Sequence, residues 1–131
     1  MSRPVELGSI KAGSYVMVDG EPCRIVDYVH SKPGKHGSAK ARVVAIGVFD
    51  NVKRTFVKPV DSKVEVPLIE KRSGQVLALL PSAVQLMDLE TYGVLEAPFP
   101  EDAELKAKLA SGVEVEYWQI LGKTKVMRVK G

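Results

Sequence analysis

Short apolar stretches of strand length, separated by turn chemistry, set the pattern of the chain. Ser14-Tyr15-Val16-Met17-Val18 leads into Asp19-Gly20, a tight-hairpin signal because both positions tolerate positive φ. Cys23-Arg24-Ile25-Val26-Asp27-Tyr28-Val29 reads as the next strand, and a long return strand runs from about Ala39 to Phe49. Within it Arg42, Val44 and Ile46 share one face, while Val43, Ala45 and Val48 lie mostly on the other. A bend or bulge near Gly47 would reconcile Val48 with that alternation. Asp50-Asn51 marks a turn before Arg54-Thr55-Phe56-Val57-Lys58, and Lys63-Val64-Glu65-Val66-Pro67 reads as a last strand. Strands this closely spaced, with no helical period between them, predict a small curled barrel.

The second half starts a new set: strands over Gln75 to Leu80, Ala83 to Leu89 and Gly93 to Glu96, with turns at Pro81-Ser82 and Thr91-Tyr92-Gly93. One helix is predicted from about Glu101 to Ala110. Pro100 precedes it, Glu101, Asp102 and Glu104 suit its positive end, and Lys106 and Lys108 its negative end. Leu105 and Leu109 form an i, i+4 apolar pair, with Gly112 as the expected stop. Two strands follow, Val113 to Trp118 and Thr124 to Lys130. Three strands, a helix and two strands is the order of an OB-fold, a five-stranded barrel with one short helix. The predicted architecture is thus mainly β in two domains, 1–67 and 68–131, with Pro67 as the hinge because proline cannot donate to a ladder.

Composition narrows the classes. The 131 residues are 45% hydrophobic and 27% charged, values of a folded chain. No apolar run approaches the roughly 20 residues that span a bilayer. Neither a signal core nor a second cysteine beside Cys23 is present, so a cytoplasmic protein with no membrane partner is expected. The net charge of +3 is unevenly spread: residues 1–67 hold 11 Lys/Arg against 7 Asp/Glu, and residues 68–131 hold 8 against 9.

That excess concentrates in His30-Ser31-Lys32-Pro33-Gly34-Lys35-His36-Gly37-Ser38-Ala39-Lys40-Ala41-Arg42. The stretch has four cationic side chains, both histidines, and no acid between Asp27 and Asp50. Pro33-Gly34 and Gly37 are bend signals, so the stretch predicts a long hairpin with Lys35 at an exposed tip. Such a patch fits a phosphate-rich partner; on charge alone a solvated lysine-rich loop fits equally. His30 and His36 could add charge or stack on a base, or simply face solvent. Gly34-Lys35 is followed by His36 and a strand, which rules out a Walker phosphate loop. One cysteine and two histidines without ligand spacing give no metal site, and Cys23 reads as a small interior strand residue. Tyr15, Tyr28, Phe49, Phe56, Phe99, Tyr117 and Trp118 read mainly as core. Lys35 as a Schiff-base amine would need a desolvation that a polar tip does not offer, so a charged arm, or an acceptor for modification, fits better.

The run Lys32-Pro33-Gly34-Lys35-His36-Gly37-Ser38-Ala39-Lys40 closely resembles the modification loop of the archaeal and eukaryotic translation initiation factor 5A family, relatives of bacterial elongation factor P. The resemblance extends along the whole chain, and the short N-terminus, Pro33 and Ser38 look more like the archaeal branch. It implies an N-terminal SH3-like barrel and a C-terminal OB-fold, without the third domain of the bacterial relative. Lys35 would be the lysine converted to hypusine: deoxyhypusine synthase, using NAD, would transfer an aminobutyl group from spermidine to its nitrogen. Lys32, Gly34, His36, Gly37 and Lys40 would be recognised by that synthase or hold the loop, with His30 and Arg42 as further candidates for RNA or synthase contact. The implied partners are the ribosome and peptidyl-tRNA. The implied role is promotion of peptide-bond formation on stalled sequences and support of termination, by a monomeric factor that is not an enzyme and needs no cofactor beyond the modification.

Two other classes remain at this point. A stand-alone RNA-binding module would use the OB-fold, against which its charge of −1 argues. An enzyme using Lys35 as a Schiff-base amine would trap a carbonyl substrate there.

Overall fold

The computed structural model describes residues 2–31 and 39–130. The chain divides into two compact units, Met1–Leu68 and Ile69–Gly131.

In the first unit the strands are β1 (Ser2–Glu6), β2 (Tyr15–Val18), β3 (Glu21–Ser31), β4 (Lys40–Gly47), β5 (Lys53–Pro59) and β6 (Lys63–Pro67), with a 3-10 turn at Leu7–Ser9. An antiparallel sheet of order β2-β3-β4-β5 and a β1-β6 ribbon curl round one core, with β2 lying beside β6. Leu7, Val16, Cys23, Ile25, Ala41, Val43, Ala45 and Val64 form that core. Ala41, Val43 and Ala45 alternate along β4, so the predicted face division holds. Asp19, at φ 51, and Gly20, at φ 79, make the β2–β3 turn as their sequence requires.

The bulge lies elsewhere than expected. Gly47 stays in register opposite Cys23, and the irregularity falls on β3, where Ile25 faces Ala45 and Asp27 faces Val44, leaving Val26 as the extra residue. Gly47 instead leaves room for a neighbouring ion pair, since a Cβ there would come within 1.8 Å of Asp50 Oδ1 and 2.9 Å of Arg54 Nη1. β1 has no counterpart among the predicted strands. Pro4 and an exposed surface hide it, and it is made a strand by pairing Ser2 with Pro67 through Glu6 with Lys63.

The second unit holds β7 (Ile69–Leu79), β8 (Val84–Asp88), β9 (Val94–Ala97), α1 (Ala103–Lys108), β10 (Glu114–Ile120) and β11 (Lys123–Val129). The sheet order is β11-β10-β7-β8-β9, and β9 and β11 approach each other across the core, which gives the five-stranded half-barrel of the predicted order. Val76, Val84, Leu86, Ala97, Leu109, Val115, Tyr117 and Val126 are its buried cluster. Together the units have the expected class: mainly β, SH3-like and then OB-fold.

Two details differ. β7 starts six residues before Gln75, at Ile69, taking in Glu70-Lys71-Arg72. The helix is shorter than Glu101 to Ala110: Asp102 Oδ1 caps it by accepting from the Glu104 N–H at 3.0 Å, and Leu109 is already extended at its end. Leu109 leaves the helix because its side chain is drawn into the core, where Leu105 packs beside it.

Candidate nucleic-acid interface

Directly opposed residues in an antiparallel sheet present their side chains on the same face. Four cross-strand rows therefore make the outer face of β3, β4 and β5. They are Ser31–Lys40–Pro59, Val29–Arg42–Val57, Asp27–Val44–Thr55 and Arg24–Ile46–Lys53. Successive rows lie about 7 Å apart along the strands. The face carries four cations, Lys40, Arg42, Arg24 and Lys53, against the single carboxylate Asp27. All four cations are exposed. Among the described residues, none of them is in an ion pair with a carboxylate. Arg42 stands between two exposed valines, Val29 at 47% and Val57 at 56%, which support its stem and leave its guanidinium to solvent. Exposed cations without carboxylate partners on one sheet face suit a chain of phosphates.

The opposite face differs. Its last row is His30–Ala41–Lys58, with Ala41 buried and the two flanking residues exposed. Below it lie Tyr28, Val43 and Phe56; Lys58 Nζ sits 5.5 Å from the Phe56 ring centre, and the Tyr28 hydroxyl donates to the Leu7 carbonyl at 3.1 Å. A cleft of about 700 Å³ opens beside this face, lined by Met17, Phe56, Lys58, Lys63 and Glu65 among others.

The predicted site residues thus separate. Lys40 and Arg42 are brought together on the outer face, whereas His30 is on the other side of the sheet. Lys32, Gly34, Lys35, His36 and Gly37 lie outside the described residues. Ser31 and Lys40 are paired at the end of the β3–β4 ladder, with Ser31 Oγ donating to the Lys40 carbonyl at 3.2 Å. Arg24, Lys53 and Lys58 do not stand out in the sequence. Strand parity is the available signal for the first two, which fall on the outer face once β3 and β5 are laid against Arg42.

At the far end of the same sheet Arg54 is held by Asp50, Nη2 to Oδ2 at 2.8 Å and Nη1 to Oδ1 at 3.2 Å. These bonds and the Val52 N–H bring the Asp50 carboxyl down to about 2. Arg54 Nη1 also approaches Cys23 Sγ at 3.9 Å. Burial pushes that thiol's pKa up, against the pull of Arg54, and Cys23 packs in the core. Among the described residues no group of His, Cys, Asp and Glu is placed to hold a metal ion, and no helix is long and apolar enough to cross a membrane.

The chain matches two known families of protein segments. Residues 1–62 match "Translation initiation factor 5A-like, N-terminal", and residues 68–130 match "Eukaryotic elongation factor 5A hypusine, DNA-binding OB fold". The translation initiation factor 5A of Methanothermobacter thermautotrophicus is 58% identical over 129 residues, covering 98% of both chains. That of Pyrobaculum islandicum is 57% identical over 130 residues, again covering 98% of both. Among solved structures, the eukaryotic translation initiation factor 5A from Methanococcus jannaschii superposes with a TM-score of 0.90 at 56% identity, covering 98% of this chain and 95% of that one. A family protein from Naegleria fowleri gives 0.80 at 28% identity, covering 99% of each. A basic sheet face on an SH3-like unit, an OB-fold following it in sequence and matches along the full length agree, and the chain belongs to the translation initiation factor 5A family of translation factors.

Proposed function

We propose that this translation factor binds the ribosome beside peptidyl-tRNA and presents Lys35, converted to hypusine by deoxyhypusine synthase, towards the reacting end of that tRNA. The observation that carries this reading is the unneutralised basic face of β3–β5, which runs up to the Ser31–Lys40 pair on either side of the loop in sequence. Lys40 and Arg42 hold phosphate or sugar oxygens there, joined by Arg24 and Lys53 further along the sheet. An aminobutyl extension lengthens the lysine and adds a second amine, so the arm carries two charged donors. Its effect is orientation: holding the peptidyl-tRNA end in a reactive geometry speeds attack without any acid–base group on the factor. The ribosome supplies the chemistry, at stalled sequences and in support of termination. The factor acts as a monomer in the cytoplasm and carries no cofactor besides the modification. Lys32, Gly34, His36 and Gly37 are the loop positions read by the synthase, with His30 at its margin.

Peptide mass spectrometry across Lys35, on protein from its native host, tests the acceptor. An added aminobutyl or hydroxylated aminobutyl group is expected, and a stoichiometrically bare lysine would overturn it. Lys35→Arg keeps a charge and removes the acceptor amine; rescue of stalled ribosomes should be lost, and full rescue by this variant would sink the proposal.

A further inference from the structure

Tyr92 is an aromatic residue where the backbone favours glycine. It stands in the β8–β9 turn at φ 61, immediately before Gly93, and 69% of its surface is exposed. A bulky residue in the left-handed region costs roughly 1–2 kcal/mol, and an exposed ring gains nothing from the core in return. The turn is nevertheless rigid. Asp88 Oδ1 accepts the N–H groups of Glu90 at 2.8 Å and Thr91 at 2.9 Å, and the Asp88 carbonyl accepts the Tyr92 N–H at 2.8 Å. The Gly93 carbonyl in turn accepts the Asp88 N–H at 2.9 Å. The ring is therefore held out from a fixed support.

Its surroundings select a partner. Val94, 59% exposed, and its cross-strand neighbour Met87 extend an apolar shelf from the turn. Glu90, in the same turn, has a side chain 81% exposed and makes a loose 3.8 Å contact with Arg72, a guanidinium already engaged by Asp88. Glu96 is exposed further along β9. A carboxylate in the same turn as a presented aromatic ring repels phosphate and attracts a cation. A guanidinium lying on the Tyr92 ring would gain cation–π attraction and a charge-assisted bond to Glu90, with its stem on Val94. We propose that this turn is a docking site for an arginine- and lysine-rich protein segment, with Tyr92 as the platform and Glu90 as the counter-charge. The site is distinct from the basic face of the first unit and from Lys35.

The test uses the full-length protein, isotopically labelled, titrated with a short arginine-rich peptide and, separately, with single-stranded RNA. Amide shifts are expected at Glu90 to Val94 with the peptide and not with the RNA. Tyr92→Gly should weaken peptide binding about fivefold, the loss of one cation–π contact, without lowering the melting temperature, because glycine relieves the backbone. Tyr92→Phe should keep most of the binding. Glu90→Gln should weaken it, with a difference that fades at high salt. Unchanged peptide affinity in Tyr92→Gly, peptide shifts centred elsewhere, or shifts in this turn produced by RNA instead would each overturn the proposal. The readout is confined to Glu90 to Val94 and does not depend on modification of Lys35, so its failure leaves the proposed ribosomal role standing.

Discussion

The Tyr117 hydroxyl donates to Asp88 Oδ2 at 2.5 Å, joining the middle of β10 to the end of β8 beneath the core of the second unit. Arg72 reaches the same carboxylate from β7, through Nε at 2.5 Å and Nη2 at 3.3 Å, and the turn amides of Glu90 and Thr91 occupy Oδ1. Asp88 is only 2% exposed, so a buried charge is stabilised by donors from two neighbouring strands and a turn. Asp88→Ala leaves the buried Tyr117 hydroxyl and two amides without their acceptor, at a cost of about 3 kcal/mol or more. Tyr117→Phe removes one bond to a charged group, about 2 kcal/mol. Urea unfolding of the two variants should rank them in that order, and stabilities equal to that of the unsubstituted protein would show the network to be inert.

The same cluster makes the stability of the second unit depend on pH. The bonds from Arg72 hold the Asp88 carboxyl far below the usual range, outweighing the burial that opposes them. A depressed carboxyl contributes stability that is present above its unfolded pKa of about 4 and is lost as pH falls towards the folded value. Burial first, and the bond to Asp88 second, push Tyr117 up to about 12. That contribution is present below about pH 10 and is lost as pH rises through the folded value. Melting temperature against pH should therefore fall on both sides. Asp88→Asn should flatten the acid limb, and Tyr117→Phe the alkaline limb while the acid limb survives.

Two glycines without unusual φ hold such networks open. A Cβ on Gly74 would lie 3.0 Å from two carbons of the Tyr117 ring and 3.3 Å from the Met87 carbonyl. Gly74→Ala must displace the Tyr117 ring, and about 1–3 kcal/mol of destabilisation is expected. Gly47→Ala collides with the Asp50 carboxylate and must open the Asp50–Arg54 clasp, since a separation of 1.8 Å leaves no room for both. In Gly47→Ala the Arg54 guanidinium should exchange faster with solvent by NMR, with the second unit unaffected.

Much of this fold is legible in the sequence, and what is not legible is non-local. Alternation locates most strands because one face of each is buried, and Asp19-Gly20 and Asp50-Asn51 announce their turns. The start of β7 is hidden because Glu70-Lys71-Arg72 reads as polar surface; Arg72 lies in the sheet because its partner Asp88 is on the neighbouring strand. Glycine's habit points to a bulge at Gly47, but its place at Val26 is set by how β3 lies against β4. The basic stretch His30 to Arg42 looks like one patch in sequence. In space, parity sends His30 to one face and Arg42 to the other, and brings Arg24 and Lys53 to the face of Arg42 from strands on either side.

That division makes the final prediction. If phosphates lie along the outer face, Arg42→Gln and Arg24→Gln should each weaken binding to ribosomes or to structured RNA at low salt. Each should also reduce the slope of log affinity against log salt by roughly 0.7–0.9, the release of about one counterion's worth of screening. Glutamine keeps much of the stem that packs beside Val29 and Val57, so the loss would be of charge and not of fold. Lys58→Gln, on the opposite face beside His30, removes the same formal charge. It should leave the slope nearly unchanged, because only cations in contact with phosphate displace counterions. A uniform decrease in all three variants would mean that net charge alone attracts the RNA. A decrease confined to Lys58→Gln would transfer the interface to the His30 side of the sheet.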